Sequence, residues 1–138
     1  PPPPKMPLLE KPLIEQMLET PFVAIYGKGF KKVFKETLNE LKQLGEAYVL
    51  SVEDLIVEFK TYNDKGKAPY MIQKAIDADF LFIAGLESTI YLEWHIREAI
   101  ERIGRQREEK GNRPIISTWH RFNNCNQFFE RFSIFMVE

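Results

Sequence analysis

A chain of 138 residues is enough for one domain around a single buried core, and 44% hydrophobic against 28% charged residues is the balance of a globular protein, not of a disordered or fibrous one. The net charge of −1 excludes a global field drawing the whole molecule to nucleic acid, so any such binding has to come from a local patch. One cysteine, Cys125, excludes an internal disulfide; with no membrane-length apolar run and no secretory leader, the expectation is a reduced, cytoplasmic setting with no membrane contact.

The chain opens on PPPPKMPLLEKP. A proline run lacks the N–H groups that helix and sheet require, so it is expected to be extended. With no initiating Met, this start reads as a fragment of a longer protein or a processed terminus, and a proline run is also a ligand type for proline-binding modules. A short helix is expected over residues 8–18, where Leu13, Ile14, Met17 and Leu18 share a face; Thr20-Pro21 ends it. Residues 1–20 are therefore set apart as linker and short helix, and residues 21–138 as the folded domain.

The domain begins with Phe22–Tyr26, near-continuously apolar, as a strand buried on both faces should be. Gly27-Lys28-Gly29 forms a turn, and a long amphipathic helix follows over residues 30–44, with Phe30, Val33, Phe34, Thr37, Leu38, Leu41 and Leu44 in the i, i+3, i+4, i+7 pattern. Gly45 is expected to stop it at the C′ position. Ala47–Ser51 is a second apolar strand. Ser51 with an acid three residues on is a helix N-cap, and Leu55, Ile56 and Phe59 give the next helix its inner face. Residues 62–67 (YNDKGK) read as a polar loop. A helix over residues 69–78 turns Met71, Ile72, Ala75 and Ile76 inward. DFLFIA, residues 79–84, is the strongest strand signal, and Gly85 ends it. A long helix over residues 89–107 carries the stripe Leu92, His95, Ile96, Ala99, Ile100 and Ile103. Residues 108–112 form a charged turn, and residues 113–118 a fourth strand with Pro114 at its start. A short helix over residues 123–131 and a last strand over residues 133–137 complete the reading. Strands alternating with helices imply a parallel sheet covered on both faces, an α/β three-layer αβα sandwich. Ligands of such sheets bind beyond the strands' carboxyl ends, here Gly27–Lys28, Ser51, Ala84–Gly85 and residues 118–120.

Strand, glycine turn and helix in succession is how a phosphate-binding loop is built, because N–H groups at the helix start point at an anion. The full motif G-x-x-x-x-G-K-[ST] is absent: two glycines remain, one residue apart.

In order and spacing these segments resemble the AAA+ ATPase domain of bacterial helicase loaders and transposase helpers, the DnaC, DnaI and IstB types, from about residue 22 to residue 137. VAIYG with the helix ending NELKQLG is similar to the family's first strand, phosphate loop and helix. AYVLSVEDLIVEFK resembles the second strand and helix, and ADFLFIAGLE the Walker B strand. RPIISTWH resembles the segment ending in sensor 1, and FFERF the late Arg-containing segment. The resemblance implies a P-loop NTPase-like fold, ATP and Mg²⁺ as the family's ligands, and a replicative helicase, a loader or other AAA+ subunits as partners, with DNA as a further one. Aligned back from Asn39, the phosphate-binding Lys falls on Phe30 and the Mg²⁺-binding Ser/Thr on Lys31. The Walker B acids fall on Ala84 and Gly85, and the sensor 1 Asn on His120. Phosphoryl transfer needs a cation on the β/γ phosphates, a hydroxyl and an acid on Mg²⁺, and a group orienting water. With those roles vacant, the expectation is a catalytically degenerate domain acting as a protein-binding adaptor in helicase loading or mobile-element function. The alternatives are an active but diverged ATPase, using Lys31 or Lys32 with Glu87, and a nucleic-acid module using the lysines from Lys28 to Lys35.

The candidate residues follow. Gly27, Lys28, Gly29, Lys31 and Lys32 form an anion site at a helix N-terminus, or else a solvated helix face. Thr118 and His120 stand where sensor residues would. Trp119, Arg121, Phe122 and Arg131 suit a protein interface, as aromatics beside basic residues do. Arg97, Arg102, Arg105 and Arg107 lie along one helix among interleaved glutamates and read as a salt-bridged solvent face rather than a phosphate track. His95 reads as a core or boundary residue. No spacing of Cys, His and acids suggests a metal site.

Overall fold

In the computed structural model, the described residues are Glu15, which is helical, and residues 22–65, 69–85, 94–112, 115–119 and 133–137. The expected helices over residues 8–18 and 123–131 lie outside them, Glu15 excepted. The elements run β1 (Phe22–Tyr26), α1 (Phe30–Leu41), β2 (Ala47–Ser51), α2 (Val52–Lys65), α3 (Tyr70–Asp77), β3 (Phe80–Ala84), α4 (Trp94–Glu109), β4 (Ile115–Trp119) and β5 (Ser133–Met136). The strands form one sheet in the order β2-β3-β4-β1-β5, every pairing parallel. β1 lies inside it, Phe22 opposite Ile115 on one side and Val23 opposite Ser133 on the other.

Side chains of a strand alternate between faces, and here each face is apolar. On one face Phe22, Ala24, Leu81, Ile83 and Ile115 pack with Leu55 and Phe59 of α2, Ile72, Ala75 and Ile76 of α3, and Ile96, Ala99, Ile100 and Ile103 of α4. On the other, Val23, Ile25, Phe80, Phe82 and Ile116 pack with Phe30, Phe34, Leu38 and Leu41 of α1. Phe34 meets Phe82 edge to face, ring centroids 5.1 Å apart, an arrangement worth about 1 kcal/mol beyond area burial. The expected three-layer αβα sandwich is therefore what forms: α1 on one side of the sheet, α2, α3 and α4 on the other.

Several boundaries differ from expectation. α1 ends at Leu41, not Leu44. Tighter turns follow, Gln43 N–H to the Glu40 carbonyl and Leu44 N–H to that of Leu41, and Leu44 stands 64% exposed instead of joining the inner stripe. Gly45 does not take up the left-handed conformation of a C′ glycine; a Cβ there would meet the Asp79 carboxylate, which accepts the Glu46 N–H at 2.8 Å. The expected polar loop over residues 62–67 is helical as far as Lys65, since the sequence offers no breaker before Gly66. The charged turn after the long helix begins later than expected, because α4 runs to Glu109. Trp119, expected in a loop, is the last residue of β4, paired with Tyr26. The N-cap at Ser51 forms as expected: its Oγ accepts the Asp54 N–H at 3.1 Å.

Arg107 is the largest departure. Expected on a solvated face, it is 1% exposed. Its Nη1 donates to the carbonyls of Ala75 at 2.7 Å, Ile76 at 3.3 Å and Ala78 at 2.6 Å, and its Nη2 to that of Asp79 at 3.1 Å. Those carbonyls close the carboxyl end of α3, where a cation is favoured by the helix dipole. Asn112 Nδ2 donates to the Ile76 carbonyl and Lys110 Nζ to Asp77 Oδ1, each at 2.5 Å. Burial lowers the Arg107 guanidinium to about 10, opposed by nearby Asp79, so it stays charged at neutral pH. The rest of that arginine set behaves as expected of a solvent face: Arg97 pairs with Glu101 at 3.4 Å, and Arg102 lies over the Phe59 ring.

Candidate functional site

The carboxyl ends of β1, β3 and β4 lie side by side, because β4 pairs with both of the others. At the end of β1 three residues, Gly27, Lys28 and Gly29, carry the chain into α1. The turn closes on itself: Phe30 N–H donates to the Gly27 carbonyl at 3.2 Å and Val33 N–H to that of Gly29 at 3.1 Å. Gly27 has φ +127°, and a Cβ there would collide with the Val137 carbonyl, just past β5. Both the backbone conformation and the close approach of a neighbouring chain segment thus demand glycine. Gly29 caps the helix without a side-chain hydrogen bond.

The helix start holds the positive end of the α1 dipole. The N–H groups of Lys31 and Lys32 have no backbone acceptor among the described residues. The side chains do not converge there. Lys28, Lys31 and Lys32 are exposed. The Lys31 ammonium lies 5.9 Å from the Phe30 ring centroid, and Lys32 pairs with Glu36 at 3.8 Å, one turn along the helix. Phe30, where the resemblance expects the phosphate-binding lysine, is 4% exposed and belongs to the α1-side core.

At the neighbouring strand ends, Ala84 is half-buried and Gly85 takes φ +91°. Ser117 and Thr118 of β4 are buried polar residues, 0% and 3% exposed, Thr118 in register with Ile25. Thr118 therefore lies two positions short of the β1–α1 turn in the sheet register. Trp119 is placed as the last residue of β4. Glu87, His120, Arg121, Phe122 and Arg131 lie outside the described residues. The structure thus brings together the turn, the end of β3 and Thr118, and places the turn's lysines on the outer surface of α1. Among the described residues no group of His, Cys, Asp and Glu could hold a metal ion, and no helix is long and apolar enough to cross a membrane.

No protein-family model matches the chain, and no curated protein sequence does. Solved structures do. The chain is similar to the replication initiator DnaA bound to AMPPCP and single-stranded DNA (TM-score 0.65, 14% identity, 91% of this chain and 44% of that one). It is similar to domain III of the Thermotoga maritima replication initiation protein DnaA (TM-score 0.64, 11% identity, 91% and 58%). It is also similar to the DnaC helicase loader (TM-score 0.60, 18% identity, 88% and 80%). The chain spans under half the length of the first DnaA structures it matches. At these identities the likeness is one of fold: a parallel sheet with flanking helices.

Proposed function

We propose that this AAA+-type domain is catalytically degenerate and acts as a protein-binding adaptor in DNA replication, at helicase loading, or in mobile-element function. One observation carries the reading: the β1–α1 connection is three residues long and spends the Gly27 carbonyl on the Phe30 N–H. A phosphate loop needs a longer connection whose N–H groups stay open around the anion. Phe30 supports the same reading, since a ring packed in the core cannot supply the cation that the β/γ phosphates require. So does the end of β3, where Ala84 and Gly85 stand in the positions of the metal-binding acids. The resemblance to the DnaC loader supports the replication context.

The partners in this reading are a replicative helicase, its loader or other AAA+ subunits. The docking residues we assign are Trp119, Arg121, Phe122 and Arg131, an aromatic and arginine set of the kind that anchors interfaces. Thermal denaturation with ATP–Mg²⁺ tests the proposal. A ligand at a hundred times its dissociation constant adds about 2.7 kcal/mol, a shift of roughly 10 °C for a chain of this size. The expected response is flat, with no release of phosphate. A shift without phosphate release makes nucleotide a structural ligand of the adaptor. A shift with phosphate release replaces the reading by the diverged ATPase, with Lys31 or Lys32 and Glu87 as its working residues.

A further inference from the structure

The outer surface of α1 sorts its charges. At about 100° per residue, Lys31, Lys42, Lys35, Asn39 and Lys32 fall in that order within about 100° of arc, all exposed. Lys42 keeps helical backbone angles as the C-cap, so the arc extends to it. Glu36 and Glu40 lie about 40° and 80° beyond the Lys32 edge of the arc, and Glu36 pairs with Lys32, which leaves Lys31, Lys35 and Lys42 on the side away from the acids. Lys28 in the preceding turn prolongs the stripe at the helix's positive end. Residues 28–42 hold five lysines and two glutamates, +3, within a chain of net −1. α4 shows the other pattern: Arg97, Glu101, Arg105, Glu98 and Arg102 alternate in sign across its solvent face, with Arg97 bound to Glu101. A helix needing only solubility resembles α4.

We infer that the α1 stripe Lys28, Lys31, Lys35 and Lys42 is a track for a phosphodiester backbone. It is argued from α1 alone and does not depend on the docking residues assigned above. From Lys31 to Lys42 it runs about 16 Å at 1.5 Å per residue, with no apolar side chain on it. Protein interfaces are anchored by buried aromatic or aliphatic groups; this surface has none. Backbone phosphates need only a row of cations on flexible stems, and such contacts position a strand without reading its sequence. α1 is also the sole described helix on its side of the sheet, so the stripe runs along the outside of that layer.

Fluorescence anisotropy with a labelled twenty-nucleotide oligothymidine, and with a twenty-base-pair duplex, tests the inference and separates single from double strand. Binding is expected at low salt, with affinity falling steeply as salt rises. Three to four phosphates neutralised give a log–log slope of roughly −2 to −3 on the single strand. The triple variant Lys31→Gln, Lys35→Gln, Lys42→Gln is expected to bind at least tenfold more weakly and to lose most of that slope. Lys60→Gln on α2, also exposed, leaves binding unchanged. Circular dichroism confirms that each variant is folded, and glutamine preserves the helix. The inference is overturned by wild-type protein that binds neither oligonucleotide at low salt, by a folded triple variant that binds as the parent does, or by polyglutamate binding as tightly as the oligonucleotide. None of these outcomes bears on the nucleotide test of the adaptor reading, whose failure would leave the stripe untouched.

Discussion

Arg107 shows what one side chain holds together. Its guanidinium serves four carbonyls at the α3–β3 junction, and the three from Ala75, Ile76 and Ala78 have to be paired because those bonds are buried. Replacing it with Met fills much the same space and leaves the carbonyls without that donor. Arg107→Met is therefore expected to destabilise by about 3 kcal/mol, since hydrogen bonds from a charged group contribute about 1.5–3 kcal/mol each and the lost burial of charge offsets part of that. A urea titration read by circular dichroism measures it. The position was legible as part of the inner stripe, four residues after Ile103 and seven after Ile100, but its charge argued for solvent. Only the fold brings the α3 carbonyls to it, and they are some thirty residues earlier in the chain. The β1–α1 turn was legible in outline: two glycines were expected to make it, and they do. What could not be read is that Gly27 also yields space to the Val137 carbonyl, a contact between segments about 110 residues apart.

At the scale of elements, α3 depends on α4 more than its own eight residues suggest. Asp77, at the end of α3, accepts from Lys110 and from Gln73, and these hydrogen bonds hold its carboxyl below the ordinary carboxylate value of 3.8. A carboxyl with a lowered folded-state pKa contributes stability that is full above 3.8 and fades as pH falls through the lowered value. Asp77→Asn is therefore expected to lower the urea midpoint at pH 7, and the gap to the parent is expected to narrow progressively as pH falls below 3.8. Strand bounds were the best-read feature, β1 and β2 matching to the residue, because a buried parallel strand is a continuous apolar run between turn residues. Helix ends were read less well. α2 and α4 both outlast the polar residues that seemed to end them, because polar side chains on a helix's outer face are no barrier to its continuing; glycine is, at Gly111 with φ +72°.

For the molecule as a whole, the sheet order decides how cooperative the fold is. β1 has no strand neighbour among those near it in the chain; it pairs only with β4 and β5. A chain ending at Asn112 keeps β1, β2, β3 and all four described helices but strands β1 apart from β2 and β3, which reach it only through β4. Such a truncation is expected to lose the cooperative urea transition altogether, rather than to melt a few degrees earlier, because removing β4 divides the core on both faces. Limited proteolysis provides a second readout, with cleavage throughout instead of at exposed loops.

The same placement of β1 matters while the protein is being made. Phe22–Tyr26 leaves the ribosome more than ninety residues before Ile115, its partner on one side, and further still before Ser133, its partner on the other. During that interval five successive apolar residues have no shelter that the finished sheet will later give them, a run of the kind that holdase chaperones bind. Nascent chains stalled before β4 should therefore be caught by such helpers at this stretch, and released once β4 and β5 have emerged to enclose it.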